Sequence, residues 1–255
     1  QIGAATGAGN IAPGMMTETT GSVLAVCAAL DSPRCLPGRE AGLFRHAVRG
    51  SFVLLPWVPA AGMILRWFRD TFCEGRSYAE LGRLAANVPP GCEGLLLIPH
   101  LAGATCPDVN EHARGVFHGI TLDHGRAHFT RAIMESVAFM LRDIVEMLRG
   151  VGIEADSITS LGGASASRVW MQIKADVLGM DLRTPACSEA TCLGTALLAG
   201  VGTGIFSDPT EAVAAMVQPG ASYQPDRKAG EIYDALFQTY RETNKTMLST
   251  FGRES

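Results

Sequence analysis

The apolar residues of this chain recur at helical spacing over several stretches. Between residues 128 and 150 they follow one another every three or four positions, which predicts a long helix that ends at Gly150. Its buried face would be formed by Phe129, Ile133, Val137, Leu141, Ile144 and Leu148. Similar spacing predicts helices at 62–72, 78–86, 167–178, 191–201 and 228–250. The last helix is expected to bury Ile232, Leu236, Tyr240 and Met247.

Shorter stretches have the composition of strands separated by turns. Residues 15–28 are rich in Thr and Val and are interrupted at Thr20-Gly21-Ser22, which predicts two strands around a tight glycine turn. A second strand pair is expected within 44–57, and single strands at 94–98, 157–161 and 181–185, with loops at 32–39 and 99–114. Because strands and helices alternate in the second half of the chain, the sequence predicts α/β architecture.

Composition and charge narrow the class of protein. With 47% hydrophobic and 18% charged residues, the 255-residue chain resembles an ordinary globular protein and is long enough for one large domain. Its formal charge is -4 and no basic stripe is present, which argues against nucleic acid as a partner. No apolar stretch reaches the length of a transmembrane helix, so membrane binding is not expected either.

The cysteines and histidines give no sign of a metal site. The seven cysteines are scattered and form no C-x-x-C pair, and several lie in apolar runs, as expected of reduced core thiols in a cytoplasmic protein. The six histidines lack metal-binding spacing, since Gly125 separates His124 from His128. A further group of acids is interpreted as surface, capping or structural residues: Asp108, Glu111, Asp123, Glu135 and Asp176.

The strongest candidate for chemistry is the glycine turn at residues 161–167, between a predicted strand and a predicted helix. Glycine lets the backbone approach a ligand, and a helix N-terminus offers unpaired N–H donors, so this turn predicts a nucleotide site. A tight packing turn with Ser167 as the helix cap is the alternative. Two more glycine turns, at Gly21 and Gly62, could converge on the same phosphate chain, although a hairpin turn and a helix start also explain them.

Together these segments resemble carbohydrate kinases of the FGGY family over nearly the whole chain. Residues 14–22 are similar to the family's phosphate-binding hairpin, 62–67 to its nucleotide-contacting helix, and 162–176 to its adenosine-binding turn and helix. The most specific match is GVFHGI at 115–120 followed by HFTRAIME at 128–135, the signature that names the family. Residues 99–103 with 113–115, and Glu189 with 193–196, agree as well.

The resemblance implies a ribonuclease H-like fold of the actin-like ATPase type, a mixed sheet flanked by helices. Residues 1–255 would form the carboxy-terminal nucleotide-binding domain, and the amino-terminal sugar-binding domain would be absent from this chain. ATP and Mg²⁺ are the implied cofactors. By matching position, Gly21 and Ser22 would face the terminal phosphates, Gly62 and Arg66 the phosphates or ribose, and Gly163, Ala164 and Ser167 the adenine. Ser22 replaces the family's usual Thr, and Arg66 and Ser167 replace the Gln and Asn of glycerol kinases.

The same resemblance implies a sugar kinase similar to xylulose kinases, acting on a ketose or polyol. In this family an Asp deprotonates the sugar hydroxyl just before the segment that matches residues 1–9, so a catalytic Asp is expected immediately before Gln1, with Gln1 touching the sugar. Because Gln1 is not an initiator methionine, the chain is expected to begin within a longer protein and to bind nucleotide without catalysis. Two alternatives stay open: a non-kinase regulatory module of the same superfamily, and a fragment that supports packing or a homodimer.

Overall fold

A mixed β-sheet forms the centre of the protein, whose computed structural model describes residues 1–36 and 41–252. The predicted loop at 32–39 therefore lies partly outside the described residues. In chain order the strands are β1 (Met16–Thr20), β2 (Leu24–Leu30), β3 (Gly42–Arg45), β4 (Phe52–Leu55), β5 (Trp57–Val58), β6 (Leu96–Ile98), β7 (Val116–His118), β8 (Ser157–Leu161), β9 (Asp181–Pro185) and β10 (Pro219–Tyr223).

The helices lie between and after these strands. In chain order they are α1 (Ile2–Gly7), α2 (Gly62–Phe72), α3 (Tyr78–Ala86), α4 (Arg126–Arg149), α5 (Arg168–Leu178), α6 (Ala190–Gly202), α7 (Pro209–Met216) and α8 (Arg227–Leu248). Short 3₁₀ turns occur at Cys92–Gly94 and Gly163–Ala166.

The order of strands across the main sheet is β10-β9-β8-β1-β2-β4-β3, with β5 paired to β2. Strand β8 runs parallel to both β1 and β9, whereas β1, β2, β4 and β3 pair antiparallel. Strands β6 and β7 form a separate antiparallel ribbon. The hairpin of β1 and β2 therefore lies beside the strand–turn–helix unit of β8 and α5, so the predicted phosphate and adenosine turns belong to neighbouring strands.

Both faces of the sheet are covered, as strand β2 shows. Its side chains alternate between the two faces. Leu24 and Val26 pack into the main core with α2, α4, α5 and α8, whereas Cys27 packs on the other face with Ala5 of α1 and Val53 of β4. All seven residues of β2 are buried. The fold is thus a sheet between two helical layers, which confirms the expected mixed α/β architecture.

The predicted helices and strands are found close to their expected bounds. Helix α2 covers 62–72 and helix α3 covers 78–86, as expected. The long helix α4 begins two residues before its predicted start and ends before Gly150, but it is buried on almost every side between residues 130 and 141. Trp67 of α2 is 40% exposed and so lies outside the buried face of that helix.

The predicted buried face of α8 is correct for Tyr240, and Leu236 and Met247 pack partly buried against the core, but it is wrong for Ile232. Ile232 is 45% exposed, and the fully buried residues are Tyr233, Phe237 and Tyr240. Each of these three rings packs against Phe139 of α4, with ring centroids 5.3 to 6.1 Å apart. Large aromatic rings bury more apolar surface than an isoleucine, so the helix turns its aromatic stripe toward α4.

Helix α1 was not predicted, and it packs against α6 with the two backbones in contact. A Cβ at Gly194 of α6 would lie 2.7 Å from the backbone N of Gly7 and would overlap the carbonyl oxygen of Gly3. Residues 1–9 are mostly Gly and Ala, so they carry too few large apolar side chains to show a helical period. Helix α7 and strands β5, β7 and β10 were likewise not predicted.

The cysteines occur as free thiols. Cys27, Cys73, Cys92 and Cys106 are buried, as expected of core thiols, whereas Cys35, Cys187 and Cys192 are exposed. Within residues 1–36 and 41–252, no helix combines the length and apolar character needed to cross a bilayer.

Candidate nucleotide site

The β1–β2 hairpin presents its turn at one end of the central strands. Thr20 pairs with Leu24, so residues 21–23 form the turn, and the Gly21 N–H donates to the carbonyl of Val23 over 3.0 Å. Ser22 is exposed at the tip of this turn. A Cβ at Gly21 would meet none of the described atoms within 4 Å. The glycine therefore leaves open space beside the backbone, as a turn that receives a phosphate group requires.

The start of helix α2 is fixed directly onto this turn. The backbone N–H of Gly62 donates to the Gly21 carbonyl, and that of Ala61 to the Ser22 carbonyl, both over 2.9 Å. A Cβ at Gly62 would overlap the Gly21 carbonyl oxygen. Glycine is therefore required at this position for packing alone, because any side chain would push the helix away from the hairpin.

The predicted adenosine turn touches the same hairpin from the other side. Gly162 follows β8 with φ of 82°, and a Cβ there would lie 2.7 Å from the Thr20 carbonyl oxygen. Gly163 comes next and opens the 3₁₀ turn; a Cβ at this glycine would meet no described atom within 4 Å. The two adjacent glycines therefore differ: Gly162 is required for packing, and Gly163 leaves an open surface.

The other two residues of this turn are largely engaged by the protein. Ala164 is 6% exposed and packs in the main core, so only its backbone can line a ligand. Ser167 is the N-cap of α5, where its hydroxyl accepts the Trp170 N–H over 3.3 Å. The predicted capping role of Ser167 is therefore seen, next to Gly82 of α3.

The structure thus brings the three predicted glycine turns together. The hairpin turn contacts the start of α2 through Gly62 and the adenosine turn through Gly162. Loops from separate elements that meet in this way can hold one extended ligand. The residue-level assignment of nucleotide contacts to these turns stays a prediction.

Arg66 and Gln1 lie at the margins of this region. Arg66 is one helical turn after Gly62, with 69% of its side chain exposed, and its Nε lies 3.6 Å from a carboxylate oxygen of Asp70. Gln1 is exposed, and its side-chain oxygen accepts from the Thr19 hydroxyl over 3.3 Å. Because Thr19 pairs with Leu161 across the parallel strands, Gln1 lies near the same end of the sheet as the glycine turns.

Comparison with known proteins settles the family. The family model for the FGGY family of carbohydrate kinases, C-terminal domain, matches residues 10–203. The chain belongs to this family. It is 34% identical over 203 residues to a xylulose kinase of Staphylococcus epidermidis, covering 80% of this chain and 41% of that protein. It is also 37% identical over 176 residues to a glycerol kinase of Solidesulfovibrio magneticus, covering 69% of this chain and 35% of that protein.

A solved structure agrees with the fold over the whole chain. The crystal structure of xylulose kinase from Rhodospirillum rubrum superimposes with a TM-score of 0.89 at 30% identity, covering 99% of this chain and 51% of that one. The ribonuclease H-like, actin-like ATPase fold expected from the resemblance is therefore confirmed. The chain spans about half the length of this structure and less than half the length of the two curated relatives.

The signature that names the FGGY family supplies buried structural contacts on α4. Glu135 accepts from the Nε of Arg131 and from the hydroxyl of Tyr233, each over 2.7 Å, and from the Gly91 N–H over 3.1 Å. Burial, reinforced by the Glu135 carboxylate, raises the pKa of the Tyr233 hydroxyl and of the Cys92 thiol. Glu135 therefore ties α4 to α8 and to the segment after α3, which fits the structural role expected for it.

The remaining candidate side chains do not assemble into a metal site of this FGGY domain. The rings of His124 and His128 are 5.2 Å apart, but each Nδ1 accepts a backbone N–H, from Thr121 and Gly125 respectively. These histidines therefore shape the turn before α4. Within the described ranges, no three His, Cys, Asp or Glu side chains come together as metal ligands.

Two cavities lie away from the glycine turns. One, of about 560 Å³, is bordered by Asp143 of α4 and by Arg241 and Asn244 of α8. The other, of about 730 Å³, lies between Gln172 of α5 and Lys228 of α8. Neither is lined by Gly21, Gly62 or Gly163.

Sequence reasoning missed a charged pair directly beneath the glycine turns. Glu18 of β1 and Lys174 of α5 are both completely buried, and the Lys174 Nζ lies 2.6 Å from a Glu18 carboxylate oxygen. The available signal was an acid on the same strand face as Met16, in a strand next to β8, and a lysine one turn after the buried Trp170. Opposite charges at two buried positions of neighbouring elements are a reason to expect a pair.

Proposed function

We propose that this chain is the nucleotide-binding half of an ATP-dependent carbohydrate kinase that phosphorylates a ketose such as xylulose, or a related polyol. The observation that carries this proposal is the meeting of three glycine turns from separate elements, with open backbone at Gly21 and Gly163. Membership of the FGGY family supplies the reaction class, and relatives named xylulose kinase and glycerol kinase supply the substrate class.

In this proposal the chain holds the nucleotide along the line of the three turns. Gly21 and Ser22 face the terminal phosphates, where the exposed Ser22 hydroxyl and the turn's backbone provide polar contacts. Gly62 and Arg66 lie beside the phosphates or ribose, and the Arg66 guanidinium adds positive charge. Gly163, with Ala164 and Ser167, borders the adenine, because a residue without a side chain admits a flat ring against the backbone.

The sugar and its activation are assigned to the part of the relatives that this chain does not span. We place the catalytic Asp immediately before Gln1, and the remaining sugar contacts in an amino-terminal domain. The Gln1 side chain, next to Thr19, is positioned to contact the sugar from this side. Mg²⁺ would enter on the nucleotide's phosphates, as is usual for phosphoryl transfer. The free cysteines suit a cytoplasmic enzyme.

Replacing Gly163 by valine tests the nucleotide assignment. We expect the ATP dissociation constant to rise about tenfold or more, a loss of roughly 1.4 kcal/mol, because the branched side chain fills the open surface at the adenine edge. The unfolding free energy should change by less than about 1 kcal/mol, because a Cβ at this glycine meets no described atom within 4 Å. Isothermal titration with Mg²⁺-ATP and urea unfolding measure the two quantities.

The neighbouring Gly162 provides the matched control for the stability measurement. Gly162→Ala should lower stability, because Gly162 has φ of 82° and its Cβ would press on the Thr20 carbonyl. Equal ATP affinity of the Gly163→Val variant and the parent would favour the alternative interpretation, in which this segment is a tight packing turn. A parent chain that binds no ATP would contradict the proposed function itself.

A further inference from the structure

The buried charges beneath the glycine turns form one connected network. The Glu18 carboxylate accepts from the Lys174 ammonium over 2.6 Å, from the Thr20 hydroxyl over 2.7 Å, and from the Ser160 hydroxyl. The Lys174 ammonium also donates to the Thr20 hydroxyl over 2.8 Å. The Thr20 hydroxyl thus donates one hydrogen bond, to Glu18, and accepts one, from Lys174, so its hydrogen-bonding capacity is used and its rotamer is fixed.

Each member of this network belongs to an element that carries a glycine turn. Thr20 directly precedes Gly21 in the hairpin. Ser160 pairs with Glu18 across the parallel strands and lies two residues before Gly162. Lys174 is on α5, whose first turn follows Gly163–Ala166. The network therefore joins the hairpin turn to the adenosine turn from within the core.

Stability alone does not account for a charged pair at this place. Removing two charges from water is costly, and apolar residues of similar volume often give equal or greater stability. Both Glu18 and Lys174 have no exposed surface, so this cost applies in full. Directional hydrogen bonds hold the groups they join in a single fixed arrangement, and apolar packing does not do this.

We propose that Glu18 and Lys174 are positioning residues that hold the phosphate-side hairpin turn in fixed register with the adenosine-side turn. This inference rests on the proposed nucleotide site. The pair does not touch the nucleotide; it acts through Thr20, which determines where Gly21 and Ser22 lie relative to Gly163. With the network removed, the paired strands β1 and β8 would still hold the two turns side by side, but the turns would be less rigid and would bind one nucleotide less tightly.

The first test is the neutral, volume-conserving double variant Glu18→Gln/Lys174→Met. Its control is Glu135→Gln/Arg131→Met, which neutralises another buried pair, on α4. We expect backbone amide exchange at 21–23 and 162–165 to become about tenfold faster in the first variant only, in the absence of nucleotide. We also expect its ATP dissociation constant to rise about tenfold, with no such change in the control.

A milder pair of variants keeps the proposal testable if the double variant fails to fold. Thr20→Val removes the hydroxyl that links the turn to the charges, and Thr17→Val removes another buried, hydrogen-bonded hydroxyl from the same strand. Faster exchange at both turns and weaker ATP binding are expected for Thr20→Val but not for Thr17→Val. Unchanged exchange and affinity in Thr20→Val would overturn the positioning role. A parent that binds no ATP, with the exchange difference intact, would instead remove only the nucleotide assignment.

Discussion

Replacing Gly194 by alanine is expected to lower the free energy of unfolding by about 3 kcal/mol, the upper end of the cost of overpacking a tight interface. The reason is the backbone contact between α6 and α1, where the new methyl group would overlap the carbonyl oxygen of Gly3 and lie 2.7 Å from the Gly7 nitrogen. Backbone atoms cannot rotate away as a side chain does, so the whole helix α1 has to move. Urea unfolding measures the change as a lower midpoint at constant slope.

Gly202 gives the matched control for this change. It lies at the end of the same helix, and a Cβ there would meet no described atom within 4 Å. Gly202→Ala should therefore leave stability unchanged or raise it slightly, because alanine favours helix more than glycine does. Equal stability of the Gly194→Ala variant and the parent would show that α1 is not packed on α6 in solution.

The largest functional effect concerns sugar-dependent ATP consumption. The 255-residue chain should show none. The full-length protein, given its sugar, should release ADP at least about 1,000-fold faster than the 255-residue chain, because a general base and substrate positioning can each accelerate a reaction by such factors. The assay compares D-xylulose, ribulose, glycerol and erythritol with a blank that lacks sugar, for both proteins. Positioning, charge neutralisation and an oriented base are all needed for phosphoryl transfer, and this chain is proposed to supply only the nucleotide side.

Two outcomes of that assay would contradict the account in different ways. Turnover by the 255-residue chain would mean that the base lies within it, and Asp108 and Asp123 would then be the first residues to replace. If the full-length protein released no ADP in response to any of these sugars, a regulatory module would be favoured, in which ATP binding drives domain closure without phosphorylation.

Much of the fold could be predicted because its longest elements carry strong local patterns. Helix α4 shows an apolar period from Phe129 to Leu148, and α2, α3 and β8 have clear boundaries at glycine, proline or capping residues. Helix α1 could not be predicted, since its Gly and Ala residues lack large side chains and its position depends on the groove that α6 offers. Such packing between distant segments leaves no local period in the sequence.

In the candidate site, too, local features could be predicted from the sequence, whereas contacts between distant segments could not. The glycine turns were visible in the sequence because each lies at the boundary of a strand or helix. Their mutual contacts, such as the hydrogen bond from Gly62 to Gly21, depend on sheet order and could not be read from spacing. The same holds for Glu18 and Lys174, which are 156 residues apart and meet only because β1 lies beside β8.

The most direct test of the nucleotide site is a crystal structure of this chain with Mg²⁺ and a non-hydrolysable ATP analogue. We expect the terminal phosphates beside Gly21 and Ser22, and the adenine against Gly163. Binding elsewhere, for example in the cavity bordered by Asp143 and Arg241, would contradict it.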